Sequence, residues 1–116
     1  VADEFGFGFD ECNPRSGVDP QRGGIYAALG ARVADIPAQI AAARADGAFG
    51  SRDLVTVMVG LHDILEVYNP GDCGASRTAA RARGVALKNL VDGIADGGRG
   101  ARVMYATLAD VGQTPF

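Results

Sequence analysis

The stretch DLVTVMVGLHDIL at positions 53–65 decides the fold of this chain. Residues 54–59 are β-branched or apolar almost throughout, which is typical of a parallel strand covered on both faces. Gly60 ends the strand, and residues 63–68 predict a short helix before a turn at 69–72. A buried strand that leads directly into a helix indicates an α/β fold.

Downstream of this stretch, a long helix is predicted from about Ser76 to Asp96, with Ser76 as its N-cap and Gly97-Gly98 at its end. A second apolar run at 102–108 then predicts another strand. Strand, helix and strand in this order form one βαβ crossover, so the two strands should lie parallel.

Upstream, the apolar run at 25–29 predicts a further strand that ends at Gly30. A helix should follow, because four apolar residues share one face at helical spacing: Val33, Ile36, Ile40 and Ala43. These elements define an α/β domain at 25–116 with about three parallel strands. Sheets usually have five or six, so we expect the remaining strands to be missing or supplied by a partner.

Residues 1–24 are predicted to form an irregular arm or loop. Phe5, Phe7 and Phe9 alternate with glycines, and we interpret this run as a surface loop or as an arm that packs its phenylalanines on a neighbour. The G-x-G pattern here neither follows a strand nor opens a helix, so it does not indicate a nucleotide loop.

Composition excludes several classes of protein. The chain has 116 residues and a net charge of −3, without the basic patch of a nucleic-acid binder. Its apolar runs are too short to cross a membrane, and its first residues do not resemble a signal peptide. Cys12 and Cys73 lie in stretches that indicate loops. They are interpreted as two separate thiols, and export of the protein would allow the alternative of a disulfide.

Ligands of an open parallel sheet bind beyond the carboxyl ends of its strands. The chain's only histidine, His62, follows a predicted strand end, and the adjacent Asp63 can either orient the imidazole or cap the short helix. None of the three serines lies on a strand-to-helix elbow, where a nucleophile would be presented: Ser16, Ser51 and Ser76. Cys73 is a weaker candidate nucleophile. Five carboxylates show no metal-ligand spacing and indicate solvated or capping residues: Asp10, Glu11, Asp53, Glu66 and Asp110.

Three segments, in order, resemble conserved blocks of the SGNH or GDSL-type hydrolases, especially the bacterial esterases and lipases. Residues 53–65 are similar to the third block, which ends in G-x-N-D, and residues 25–33 are similar to the second, written around N-Y-A-x-G-G-A. Residues 101–116 resemble the strand and the L-P-D-x-G-x-T-P loop that follow. The resemblance covers residues 25–116.

The resemblance implies a partial three-layer α/β/α domain of flavodoxin-like type and hydrolysis of small carboxylic esters through a serine acyl-enzyme, without metal or organic cofactor. In the family, a glycine of the second block and the asparagine of the third donate N–H groups to the oxyanion hole. Gly30 matches that glycine, and His62 stands where the asparagine belongs. The exported members of the family suggest a periplasmic or extracellular location.

The departures concern the reacting groups. The 116 residues contain neither the G-D-S-L motif of the nucleophile nor the D-x-x-H motif of the base. Without serine and histidine only weak catalysis over water is left, so we expect the chain alone to be inactive or a poor catalyst.

Two other functions remain open at this point. The chain can be a non-catalytic α/β module that binds a ligand or a partner and forms a homodimer through exposed sheet edges. A small nucleotide-binding domain is the weaker alternative, because no glycine-rich loop joins a strand to a helix.

Overall fold

The structure is a computed structural model that describes residues 23–106 and residue 108. Helix α1 spans Ile36–Ala45 and is preceded by a 3-10 turn at Val33–Asp35. The remaining elements are strand β1 (Leu54–Val57), helix α2 (Leu61–Val67), helix α3 (Cys73–Ala95), a 3-10 turn (Asp96–Gly98) and strand β2 (Arg102–Tyr105). The predicted irregular arm at 1–24 falls almost entirely outside the described residues.

The two strands form a parallel pair, with Leu54 opposite Arg102 and Val57 opposite Tyr105. Backbone hydrogen bonds extend the pairing at both ends, from the Arg102 N–H to the Asp53 oxygen (2.9 Å) and from the Ala106 N–H to the Val57 oxygen (3.2 Å). Helices α2 and α3 connect the strands. The predicted mixed α/β class and the parallel crossover are thereby confirmed, and the described residues contain two strands of the three predicted.

The strand predicted at 25–29 is wrong. Residues 24–28 adopt neither helix nor strand, and the Ala31 N–H closes a turn onto the Ala28 oxygen at 3.2 Å. Leu29 is fully exposed, and Ile25 is 40% exposed. A short apolar run becomes a strand only where a neighbouring strand accepts its hydrogen bonds, and sequence periodicity does not reveal that neighbour.

Strand β1 was expected to be covered on both faces, and in the described part of the chain it is covered on one. Leu54 and Thr56 are exposed, whereas Val55 and Val57 are half-buried. Helix α3 contacts β2, so the helices lie over the half-buried side. Both strands are also shorter than predicted, since β1 ends at Val57 and β2 at Tyr105.

The core lies between the helices and the start of β2. Its buried apolar residues are Val33, Ile36, Ala43, Ile94 and Ala101. Three of them belong to the helical face predicted from Val33 onward, which is confirmed, and Ile40 on the same face is half-buried. The short helix predicted at 63–68 is also confirmed, as α2.

Helix α3 begins three residues before the predicted Ser76. Asp72 is its N-cap, because the Asp72 Oδ1 accepts the Ala75 N–H at 2.8 Å. Ser76 lies inside the first turn, and its Oγ accepts the Asn69 N–H at 2.8 Å. Cys73 is therefore an exposed first residue of a helix and not a loop residue. Cys73 is a free thiol, and Cys12, its possible disulfide partner, lies outside the described residues.

The end of α3 predicts a stabilising substitution. Asp96 has a left-handed backbone (φ 43°, ψ 50°), and its carboxylate stands at the negative end of the helix dipole. Asparagine tolerates this backbone and carries no charge, so Asp96→Asn should raise the free energy of unfolding by about 0.5 kcal/mol. Urea unfolding at low and high salt measures this gain. The same change at the N-cap, Asp72→Asn, is the control, and it should not stabilise the chain.

Candidate functional site

The candidate site is built around a buried carboxylate, Asp63, in the first turn of α2. Asp63 is 1% exposed and is the buried charged residue of the described chain. Its Oδ2 accepts the backbone N–H of Val33 at 3.0 Å. This hydrogen bond joins two segments that are 30 residues apart in the sequence, the start of α2 and the loop before α1.

Asp63 is linked through Arg83 to two further charged side chains, and we call the four residues Asp63, Glu66, Arg32 and Arg83 the Asp63 cluster. Arg32 Nη1 pairs with Glu66 Oε1 at 2.9 Å. Arg83 lies between the two carboxylates, with its Nε 3.7 Å from Asp63 Oδ1 and its Nη2 3.8 Å from Glu66 Oε2. Two cations balance two anions, and only Asp63 is buried.

Gly60 allows α2 to start in this orientation. The backbone φ of Gly60 is 120°, a value that residues with a side chain rarely adopt. Gly60 is the N-cap of α2 and immediately precedes Leu61. A Cβ at this position would also lie 3.3 Å from the Leu108 Cδ1. The sharp turn directs the chain out of the β1 segment so that the third residue of the new helix, Asp63, faces the core.

His62 is exposed on α2, next to Asp63 in sequence. The predicted roles of Asp63 are wrong: its Oδ2 holds the Val33 N–H instead of an imidazole, and the N-cap of α2 is Gly60, without a side-chain cap. The side chains of consecutive helical residues point about 100° apart. Because Asp63 points into the core, the side chain of His62 is directed toward solvent.

Gly30 occupies the third position of the turn from Ala28 to Ala31 and has a φ of 78°. The third position of such a turn requires a positive φ, which glycine adopts most readily. The residue is exposed, and a Cβ built on it meets no atom within 4 Å. Within the described part of the chain the Gly30 N–H has no hydrogen-bond acceptor.

The Asp63–Val33 hydrogen bond thus tethers the loop that carries Gly30 to the helix that carries His62. Gly30 lies three residues before Val33, and His62 is the neighbour of Asp63. The candidate nucleophiles lie elsewhere in the fold: Ser51 precedes β1 at its amino end, Ser76 is bonded to the loop at Asn69, and Cys73 begins α3. Ser16 lies outside the described residues.

A shallow groove of about 390 Å³ is lined by Arg83 of the Asp63 cluster and by Val33, whose N–H binds Asp63. It runs between the start of α1 and the middle of α3, and its remaining lining is Ala34, Pro37, Ala86, Asn89 and Leu90. Small-molecule sites fall in this range of volume, with mostly apolar walls and a few polar groups.

Sequence reasoning missed the partners of Asp63. Glu66 is exposed, as expected of a solvated residue, but its ion pair with Arg32 was not predicted. The spacing of Asp63 and Glu66 at i and i+3 on one helix was a usable signal that they share a face. No local pattern connects Arg83, which lies 20 residues farther along, to either carboxylate.

Within residues 23–106 and 108, no group of three His, Cys, Asp or Glu side chains could hold a metal ion. The helices of that same part are too short or too polar to span a membrane. Comparison of the chain with protein-family models, with curated proteins and with solved structures gives no match.

Proposed function

We propose that this chain carries the oxyanion-binding part of an SGNH-type carboxylic-ester hydrolase, with Gly30 and His62 as the N–H donors. The observation that carries the proposal is the buried Asp63–Val33 hydrogen bond (3.0 Å), which ties the two donor-bearing segments together. Gly30 and His62 are both exposed residues, which is compatible with access by a substrate oxygen.

Donors of this kind accelerate acyl transfer because they stabilise the negative oxygen of the tetrahedral intermediate. Gly30 would contribute a backbone N–H from a turn whose geometry its φ of 78° defines. His62 would contribute a ring N–H from the start of a helix. Attack and proton transfer require a serine and a histidine base, and the described residues do not assemble such a pair.

The fold proposed with this function is a three-layer α/β/α domain. Helices cover the side of the sheet that carries Val55, Val57 and Val103, while the side of Leu54 and Met104 is exposed. Parallel sheets are normally covered on both faces. The second layer would then come from residues outside the described ones.

The proposal is tested by restoring the missing groups. The chain is joined to an upstream segment with G-D-S-L and a downstream segment with D-x-x-H, both from an SGNH esterase, and hydrolysis of p-nitrophenyl acetate is measured. We expect serine-dependent turnover that His62→Ala lowers by about 10²-fold to 10³-fold, the usual cost of one oxyanion donor. His62→Asn should restore it.

The chain alone is the control and should hydrolyse p-nitrophenyl acetate and butyrate no faster than its His62→Ala variant. Robust turnover by the chain alone that disappears in His62→Ala would contradict the proposal, since His62 would then serve as a base for an unidentified nucleophile. The proposal would also be contradicted if a folded chimaera had the same turnover with His62, with alanine and with asparagine at position 62.

A second candidate function, a partner-binding module without catalysis, is favoured by the edges of the sheet. In the described residues β1 and β2 pair only with each other, which leaves one edge of each strand for another chain. Unpaired edges are templates for association. A stable homodimer in light scattering, together with no activity in the chimaera, would favour this candidate.

A further inference from the structure

One face of the sheet presents an exposed apolar surface, which we call the open face: Leu54, Thr56, Met58, Arg102 and Met104. Leu54 is 65% exposed, Met58 86% and Met104 58%. The register places Thr56 beside Met104 and Leu54 beside Arg102, so that these side chains form one continuous patch. Apolar surface of this kind usually marks a contact with another segment or protein.

The size of the open face favours an occupant that is tethered to it. Two strands of four residues offer much less than the roughly 800 Å² per partner that a stable dimer buries. A segment of the same chain needs less area, because the tether gives it a high effective concentration near the face.

The sequence contains a segment with complementary chemistry, DEFGFGFDE at positions 3–11, which lies outside the described residues. Three of the chain's five phenylalanines are found there, at a spacing of two residues. In an extended chain, side chains at this spacing point to the same side. We propose that residues 5–9 pack their phenylalanines on the open face of the β1–β2 sheet.

Charge and reach agree with this assignment. Acidic pairs flank the phenylalanines at Asp3-Glu4 and Asp10-Glu11, while the exposed Arg52 and Arg102 lie at the amino ends of the two strands. The 13 residues between Phe9 and Gly23 can span up to about 43 Å, enough to reach either side of a narrow sheet. The assignment does not rest on the ester chemistry proposed above, and it names residues 5–9 as the cover of the face that the proposed fold leaves to undescribed residues.

Oxidation of methionine reports on access to the open face, because Met58 and Met104 lie on it and are the only methionines of the chain. Dilute hydrogen peroxide converts each thioether to a sulfoxide, and mass spectrometry of the full chain follows the rate at each residue. Because access governs this oxidation, we expect both methionines to react at least about fivefold faster when Phe5, Phe7 and Phe9 are all replaced by serine. Leu29→Ser, which removes an exposed leucine that belongs to neither strand, should leave both rates unchanged.

A charge swap distinguishes loss of the contact from loss of the fold. Arg102→Glu should also speed oxidation, and Asp10→Arg with Glu11→Arg in the same chain should slow it again. Unfolding would not be reversed in this way. Equal rates in the parent chain and the triple serine variant would overturn the proposal. Protection that survives the triple variant and grows with protein concentration would overturn it too, in favour of a second copy of the chain.

Discussion

Gly100→Ala is expected to lower the free energy of unfolding by about 3 kcal/mol, because overpacking at a fixed backbone is strongly destabilising. A Cβ built on Gly100 overlaps the backbone oxygen of Ile94 and lies 3.1 Å from the carbonyl carbon of Ala95. The obstacle is main chain at the end of α3, so no side-chain rotation can relieve it.

Neighbouring contacts hold this backbone in place. The Gly100 N–H donates to the Ala95 oxygen at 3.0 Å, and both Ile94 near the end of α3 and the next residue, Ala101, are 3% exposed. Moving residue 100 away would therefore disturb the core and the entry into β2. We expect the loss as a lower urea midpoint with an unchanged slope.

Gly84→Ala is the matched control. Gly84 lies on the exposed side of α3, and a Cβ built there meets no atom within 4 Å. Alanine in a helix interior is more stable than glycine by about 0.5–1 kcal/mol, so the midpoint should rise. Equal midpoints for Gly100→Ala and the parent chain would show that the junction between α3 and β2 is not packed as described.

The parts of the fold that sequence predicts best are those with a local cause. The apolar run at 54–59 and the long helix that ends at Gly97-Gly98 are of this kind, and both are found in the structure. The N-cap of this helix was misplaced by four residues because Asp72 and Ser76 are both good N-caps, and only the hydrogen bond from Ala75 to Asp72 distinguishes them. The run at 25–29 failed because a strand depends on a partner elsewhere in the chain.

The candidate site divides in the same way. His62 was expected directly after the strand predicted at 54–59, and it lies at the start of the helix that follows β1. Gly30 was expected at the end of a strand, and it lies instead in a turn. The burial of Asp63 was not predicted, because its partner is a backbone N–H 30 residues earlier. In the sequence, the adjacent His62 is the more obvious partner for Asp63. In the helix, however, the side chains of His62 and Asp63 point in different directions.

Asp63→Ala is expected to destabilise the chain by about 3 kcal/mol, the usual cost of removing a buried charged acceptor. The Val33 N–H would lose its partner while it remains in the core, where Val33 itself is 4% exposed. Arg83 adds little to this figure, because it is half-exposed and lies 3.7 Å from the carboxylate.

Asp63→Asn separates the hydrogen bond from the charge. The amide oxygen can still accept the Val33 N–H, so we expect a loss of about 1 kcal/mol, near that of one neutral hydrogen bond in place of a charged one. Urea unfolding of both variants measures the difference. If Asn were as damaging as Ala, the ion pair with Arg83 would be the main source of stability, against the long distance observed.

His62→Ala completes the comparison because His62 is exposed beside the buried Asp63. An exposed substitution should change the free energy of unfolding by no more than about 0.5 kcal/mol, whereas the same substitution should lower turnover in the esterase chimaera. Asp63→Asn should show the opposite pattern, a lower urea midpoint with smaller kinetic losses at temperatures where the chimaera stays folded. The two neighbours would then have separate tasks: Asp63 fastens the Gly30 loop to α2, and His62 faces the reacting oxygen.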